Sequence, residues 1–160
     1  MKTINFLNKL KKEKRLEMVK SSEEMKQFYL EKSESNLISS KVLLDINRLE
    51  EATSLAYYSS YHALQALLFG IGIKSENHTA SIILLNKIFG IDNSFIMFAK
   101  KERLDKQYYV DFEITKEQVI DLIQKVEEFR GDLYDFISKL TNEKIGFYRN
   151  KFISLLNIKK

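Results

Sequence analysis

Residues 52–69 read ATSLAYYSSYHALQALLF: eighteen residues without a charge, a glycine or a proline. Alanine and leucine dominate, and the stretch is long enough for about five helical turns. Wrapped at the helical period, Leu55, Tyr58, His62, Ala66 and Phe69 form one stripe. Tyr57, Tyr61, Leu64 and Leu68 form a second, and Ala56, Ser60, Ala63 and Leu67 a third. A helix with no charged side is enclosed by other helices. Its tyrosines and serines, and its length, argue against a membrane span. It is therefore expected to be the central rod of a bundle, with small residues where neighbours come close.

The rest of the chain fits that frame. There are no prolines and five glycines in 160 residues, a composition suited to long helices rather than turn-rich β structure. Cysteine is absent, which excludes disulfide frameworks and thiolate metal or redox sites and suits the cytoplasm. Lysines run through residues 1–16 without an apolar core, so a signal peptide is not expected. Charge is unevenly spread. Residues 1–20 carry seven Lys/Arg against Glu13 and Glu17, and residues 141–160 carry five against Glu143. With +4 overall, residues 21–140 hold −5. Basic ends on an acidic body can meet RNA phosphate or an acidic partner, or serve as solvated tails that keep the protein in solution.

Outward from the rod, Ser21 with Glu24 reads as a capping box that opens a helix through about Asp45, burying Met25, Phe28, Leu30, Leu37, Val42 and Leu44. Asn47 and Arg48 connect it to the rod. Gly70-Ile71-Gly72 closes the rod, residues 74–79 lead into a helix from Ala80 to a stop at Gly90, and a cap among Asp92, Asn93 and Ser94 opens another to about Gln107. Thr115 with Gln118 forms a second capping box, followed by a core stripe of Val119, Ile123, Val126, Phe129, Leu133, Ile137 and Leu140. Short amphipathic elements at Ile4, Phe6, Leu7 and Leu10 and at Ile145, Tyr148, Phe152 and Leu155 flank the whole. The expected fold is all-α: an up-and-down antiparallel bundle of four to five main helices with short N- and C-terminal helical extensions, as one domain over 1–160. Within it the core covers about 22–140, the basic arm 1–20 and the basic C-terminal helix 142–157.

Three places could carry chemistry. His62 shares a helical face with Tyr58, and a buried histidine satisfied by a tyrosine or a carbonyl is its plain reading. His78, in SENHT, stands at a helix start where backbone N–H groups can gather an anion, or serves merely in a capping loop. The run from Lys100 to Tyr109 sets Arg103, Asp105, Lys106, Tyr108 and Tyr109 close together, able to hold phosphate and stack a base, or to form an ordinary charged helix surface. Two histidines with neither a carboxylate pair nor His-x-x-x-His spacing make no metal site, and no cofactor is expected.

EATSLAYYSSYHALQALLFGIGIKSENHTASIILL (51–85), followed by KKERLDKQYYVDFEITKEQ (100–118), resembles the HEPN (higher eukaryotes and prokaryotes nucleotide-binding) family, in particular its small single-domain prokaryotic members. The likeness spans roughly residues 29–140 and leaves both basic ends outside. It implies an all-α bundle that dimerises about its central helices. Many members are ribonucleases, often toxins, and many are paired with a nucleotidyltransferase as partner or antitoxin. Their motif is an arginine, four to six polar residues and a histidine, brought together from two subunits. Here Arg103 takes the arginine's place, and Tyr108 stands where the histidine is expected; both histidines precede Arg103. A phenol with a pKa near 10 exchanges protons at neutral pH far less readily than an imidazole near 6.5. The resemblance therefore implies a nucleotide-, RNA- or partner-binding protein that keeps Arg103 as a phosphate holder, with Asp105, Lys106, Tyr108, Tyr109, His78 and Tyr58 around it, but lacks the usual cleavage chemistry. The alternatives are a metal-independent ribonuclease that uses Arg103 with His62 or His78, and a purely structural oligomerisation bundle. The last expects Tyr58 and His62 wholly buried and Arg103 in open solvent.

Overall fold

In a computed structural model the described residues are 1–108 and 113–157, the side chains of 105–108 and 157 excepted. The chain is an all-α bundle: α1 (Lys2–Lys12), α2 (Glu23–Asp45), α3 (Leu49–Ile71), α4 (His78–Phe89), α5 (Ser94–Tyr108), α6 (Lys116–Ser138) and α7 (Asn142–Asn157), with two three-residue strands, β1 (Leu16–Met18) and β2 (Ile73–Ser75). The uncharged rod is α3. It packs against α2, α4, α5, α6, α7 and β2, so nearly every side of it is buried.

α2 lies antiparallel to α3 through serines rather than large apolar groups. Ser33 Oγ donates to the Ser59 carbonyl (2.7 Å), Ser59 Oγ returns a bond to the Ser33 carbonyl (2.8 Å), and Ser40 Oγ donates to the Ala52 carbonyl (2.7 Å). Small hydroxyls let the two backbones approach and satisfy themselves on carbonyl lone pairs that the helices leave open. This close seam corrects the expected core face of α2. Leu37 is buried and Leu30 and Leu44 pack partly against the core, but Phe28 and Val42 are 50% and 55% exposed. Ser33 also accepts from Arg130 Nε of α6 (2.8 Å), whose buried guanidinium reaches Glu34 (2.5 Å) and the Tyr134 hydroxyl (2.8 Å) and locks three helices together.

The cap of α2 also differs from expectation: Ser22, not Ser21, accepts from Met25 N (3.1 Å). Ser22 N is itself held by the Phe69 carbonyl (3.1 Å), which draws that residue into the extended cap conformation. The second capping box stands as expected, with Thr115 and Gln118 bonded reciprocally at the start of α6. α4 begins at His78, two residues before the expected start, because Asn77 caps Ala80 N (2.9 Å).

The sheet is not foreshadowed by any alternation. Leu16 pairs with Ser75 and Met18 with Ile73, antiparallel, and the ladder is extended by Val19 N to the Gly72 carbonyl (2.8 Å). Nor are the basic ends solvated tails. α1 buries Leu7 and Leu10 (0% and 3% exposed), α7 buries Phe152 and Leu156, and the two helices touch.

Candidate functional site

The site forms where α3 turns its tyrosine-rich faces toward the N-terminus of α4 and the middle of α5. Spacings of three and four residues set Tyr57, Tyr58, Tyr61 and His62 on adjoining faces of α3. Across the gap, His78 Nδ1 lies 2.7 Å from the Tyr57 hydroxyl, and its ring stacks on Tyr61 with centroids 3.8 Å apart and planes 13° apart. Burial holds the Tyr57 phenol protonated well above its ordinary range. The neutral phenol and the imidazole share one hydrogen bond whose direction follows the imidazole tautomer. Tyr61 is tied in turn to Gln65 Nε2 (2.6 Å), which also reaches Ser81 Oγ (3.1 Å). The aromatic wall is thus fixed from behind.

Arg103 comes from α5. Its guanidinium carbon lies 5.3 Å from the ring centroids of both Tyr57 and Tyr58, and Nη1 donates to the Tyr58 hydroxyl (3.2 Å). Guanidinium groups favour such aromatic seats. One turn earlier, Lys100 Nζ donates to Thr79 Oγ1 (2.6 Å), and no ion pair holds this lysine among the described residues. Burial first, and the Arg103 charge second, pull the Lys100 pKa down. Two cations therefore stand together beside the first turn of α4. A cleft of about 250 Å³ adjoins Lys100, lined by Thr79, Ile82, Ile83, Met97, Lys100, Lys101 and Leu104.

Both histidines are neutral at pH 7. Burial pushes His78 down to about 4, helped by Arg103 and then Lys100. Burial likewise takes His62 to about 4, with Lys32 and His78 adding to it. His62 sits one ring further back: its Nδ1 meets Asn36 Nδ2 (2.8 Å), and it stacks between Tyr29 and Tyr58 (centroids 5.7 and 6.0 Å). A neutral imidazole of such low basicity accepts a proton weakly and, without its second proton, is no general acid at neutral pH.

The structure thus brings together Tyr58, His78 and Arg103 of the residues expected from sequence, with His62 behind Tyr58. The side chains of Asp105, Lys106 and Tyr108, and all of Tyr109, lie outside the described residues. Sequence reasoning missed Lys100, Tyr57 and Tyr61 as site residues. Lys100 is three residues before Arg103, hence on the same helical face, and Tyr57 and Tyr61 share a stripe; those spacings were the available signals. The arrangement expected of a purely structural bundle is not found: Tyr58 and His62 are only partly buried, and Arg103 rests on rings rather than in open solvent. A larger cavity of about 710 Å³ between α5 and α6 is lined by Phe95, Phe98, Phe129 and the carboxylates of Asp92, Glu128 and Asp132, and includes none of these site residues.

The chain is an all-α bundle in which Arg103 of α5 and His78 of α4 meet the tyrosines of the central helix α3, and its sequence carries the pattern of a known class. The HEPN domain matches residues 26–136, and the chain belongs to the HEPN family, a family of nucleotide- and RNA-binding and nuclease-like proteins. A UPF0332 protein of Archaeoglobus fulgidus is similar: 27% identical over 106 residues, covering 62% of this chain and 85% of that protein. α1, β1 and α7 lie outside the family match. No helix among the described residues is long and apolar enough to cross a membrane.

Proposed function

We propose that this protein binds a phosphate-bearing ligand, a nucleotide or RNA, at Arg103 and Lys100, without the standard ribonuclease chemistry of its family. The observation that carries the reading is the pairing of two cations beside the first turn of α4, held by hydroxyls and aromatic faces, with like charges close enough to depress Lys100. A phosphate relieves that repulsion, accepts from the guanidinium, and gains from the dipole of the helix start. Tyr58 and, in the tautomer that carries its hydrogen on Nε2, His78 complete the donor set. The apolar cleft beside Lys100 gives a base or sugar a place to lie. Two features count against cleavage: Tyr108 stands at the motif's histidine position, and the two histidines present are held neutral and weakly basic.

Calorimetric titration with ATP at low salt tests this. Arg103→Ala and Lys100→Ala are each expected to weaken binding tenfold or more, the roughly 1.5–3 kcal/mol of a charge-assisted hydrogen bond. If wild-type protein binds neither ATP nor RNA at low salt, the reading fails.

A second reading has one observation in its favour: Tyr57 and Tyr61 bring His78 into the same cluster as Arg103, supplying within one chain the arginine–histidine couple that Tyr108 denies it. Cleavage of RNA in EDTA that disappears in both Arg103→Ala and His78→Ala would establish a metal-independent ribonuclease instead.

We also infer that the protein pairs with a second copy and, in its cellular setting, with a nucleotidyltransferase as the partner half of a toxin–antitoxin couple. Ile38 and Val42 on α2 and Ile46 at its C-terminal cap, four residues apart and 55%, 55% and 64% exposed, offer an apolar strip for self-association. Sedimentation equilibrium is expected to give a dimer that Val42→Glu converts to monomer; a wild-type monomer at 100 μM (a chosen loading) would rule self-pairing out. Co-expression with candidate nucleotidyltransferases, followed by co-purification, tests the other partner.

A further inference from the structure

The charge segregation of the sequence becomes a surface once the chain folds. α1 and α7 pack together beside β1, so the basic segment 1–20 is placed along a groove of about 390 Å³. Lys11, Lys12 and Lys14 rim it, and Met18, Phe152 and Ile153 line it. Glu13 is paired with Lys9 (3.8 Å) and Arg15 (3.6 Å), and Glu17, which also lines the groove, lies 4.0 Å from Lys74, a lysine that Glu76 holds at 2.8 Å. Lys11, Lys12 and Lys14 have no ion-pair partner among the described residues, and all three are exposed.

Lys14 is the unexpected member. Arg15 N bonds to the Leu10 carbonyl (2.9 Å) and Lys14 N to the Lys11 carbonyl (3.1 Å), closing α1 with a Schellman turn. That turn puts Lys14 at φ +57°, the left-handed position that glycine takes at the ends of α3 and α4. A lysine there is strained backbone used to display a cation at the groove's mouth.

We propose that this α1–α7 groove is a docking surface for the backbone of single-stranded RNA, separate from the Arg103 site and outside the family-matched region. Lysine ammonium groups are mobile point charges suited to tracking phosphates without sequence preference. The groove between them admits an unstacked base, and with residues 21–140 at net −5 the excess positive charge of the chain lies in its two end segments, 1–20 and 141–160, which pack together here. Insertion into a membrane is disfavoured because α1 has already spent its apolar side: Leu7 and Leu10 are buried against the fold.

The test is fluorescence anisotropy with a labelled 20-nucleotide uridine-rich RNA, on the full chain, across 50–200 mM KCl. Lys11→Gln/Lys12→Gln/Lys14→Gln is expected to weaken RNA binding roughly tenfold at the low-salt end and to reduce the log–log salt slope by about 2, the value for three phosphate contacts on a single strand. ATP binding is expected to be unchanged in that variant. Lys14→Gly adds a readout that a folding defect cannot imitate: its thermal midpoint stays level or rises while RNA affinity falls. If the triple variant binds RNA with an unaltered slope, or wild type binds ATP but not RNA, the groove is not an RNA surface. RNA binding that depends on these lysines and is unchanged in Arg103→Ala and Lys100→Ala, with no ATP binding, upholds the groove and removes the Arg103 reading. Binding to phosphatidylserine vesicles without binding to RNA overturns the proposal in favour of a membrane surface.

Discussion

Replacing Gly72 by alanine is expected to destabilise the protein by about 3–5 kcal/mol, the range of the severest single substitutions, and to lower its thermal midpoint by roughly 10 °C. Two costs combine. Gly72 sits at φ +89°, where any Cβ is strained, at about 1–2 kcal/mol for an L-residue. The added methyl would lie 2.5 Å from the Val19 carbonyl oxygen, 2.8 Å from Ser21 N and 2.0 Å from Arg149 Nη1. The first two are backbone and cannot swing aside. The third is the hub of the region, since Arg149 Nη1 donates to the carbonyls of Val19 and Ile71, both at 2.8 Å. Displacing it leaves those carbonyls without that donor and loosens α7 from the sheet. Urea titration followed by circular dichroism checks this, with Gly90→Ala as the comparison. Gly90 is also left-handed, at φ +70°, but meets nothing within 4 Å, so it should show the strain alone. Equal losses in the two variants would refute the steric part.

The second large effect is acid sensitivity above the carboxylate range. His62 and His78 are held at about 4 in the fold, mainly by burial, and sit near 6.5 in an unfolded chain. Between those values the unfolded chain binds protons that the native one refuses. Stability is therefore fully present above pH 6.5 and falls as the pH drops toward 4. The expected loss between pH 7 and pH 5 is about 1–2 kcal/mol per histidine. The cations Lys32 near His62, and Lys100 and Arg103 near His78, act in the same direction as burial. Thermal unfolding at half-unit steps, on wild type and on His62→Gln/His78→Gln, is the measurement. The double variant should give a nearly flat line from pH 7 to 5, and a wild-type slope in it would show that other groups titrate. An anion bound at Arg103 offsets the same cations and raises the His78 pKa, so ATP binding should tighten over the interval in which the free protein loses stability.

These two effects also mark the boundary of what was legible beforehand. A run of eighteen uncharged residues permits few outcomes other than a surrounded helix, because no side of it can face water cheaply. Glycines and capping boxes ended and began helices within a residue or two, because they act through local backbone geometry. Phe28 and Val42 were misplaced because hydrophobicity alone cannot reveal that Ser33, Ser40 and Ser59 would form the close seam. The β1–β2 ladder was invisible because each strand is three residues long and gains its hydrogen bonds only from a partner far along the chain.

By itself, then, the sequence determined an all-α bundle built on α3, its helix boundaries to within a residue or two, and the family, since periodicity, caps and motif spacing are properties of neighbours along the chain. Tertiary structure alone decided that Lys100, Tyr57 and Tyr61 join Arg103 and His78, that His62 stands behind Tyr58, that both histidines are neutral, and that α1 meets α7. Each of those depends on which helix faces meet and how far water is excluded between them, and neither is written in local spacing.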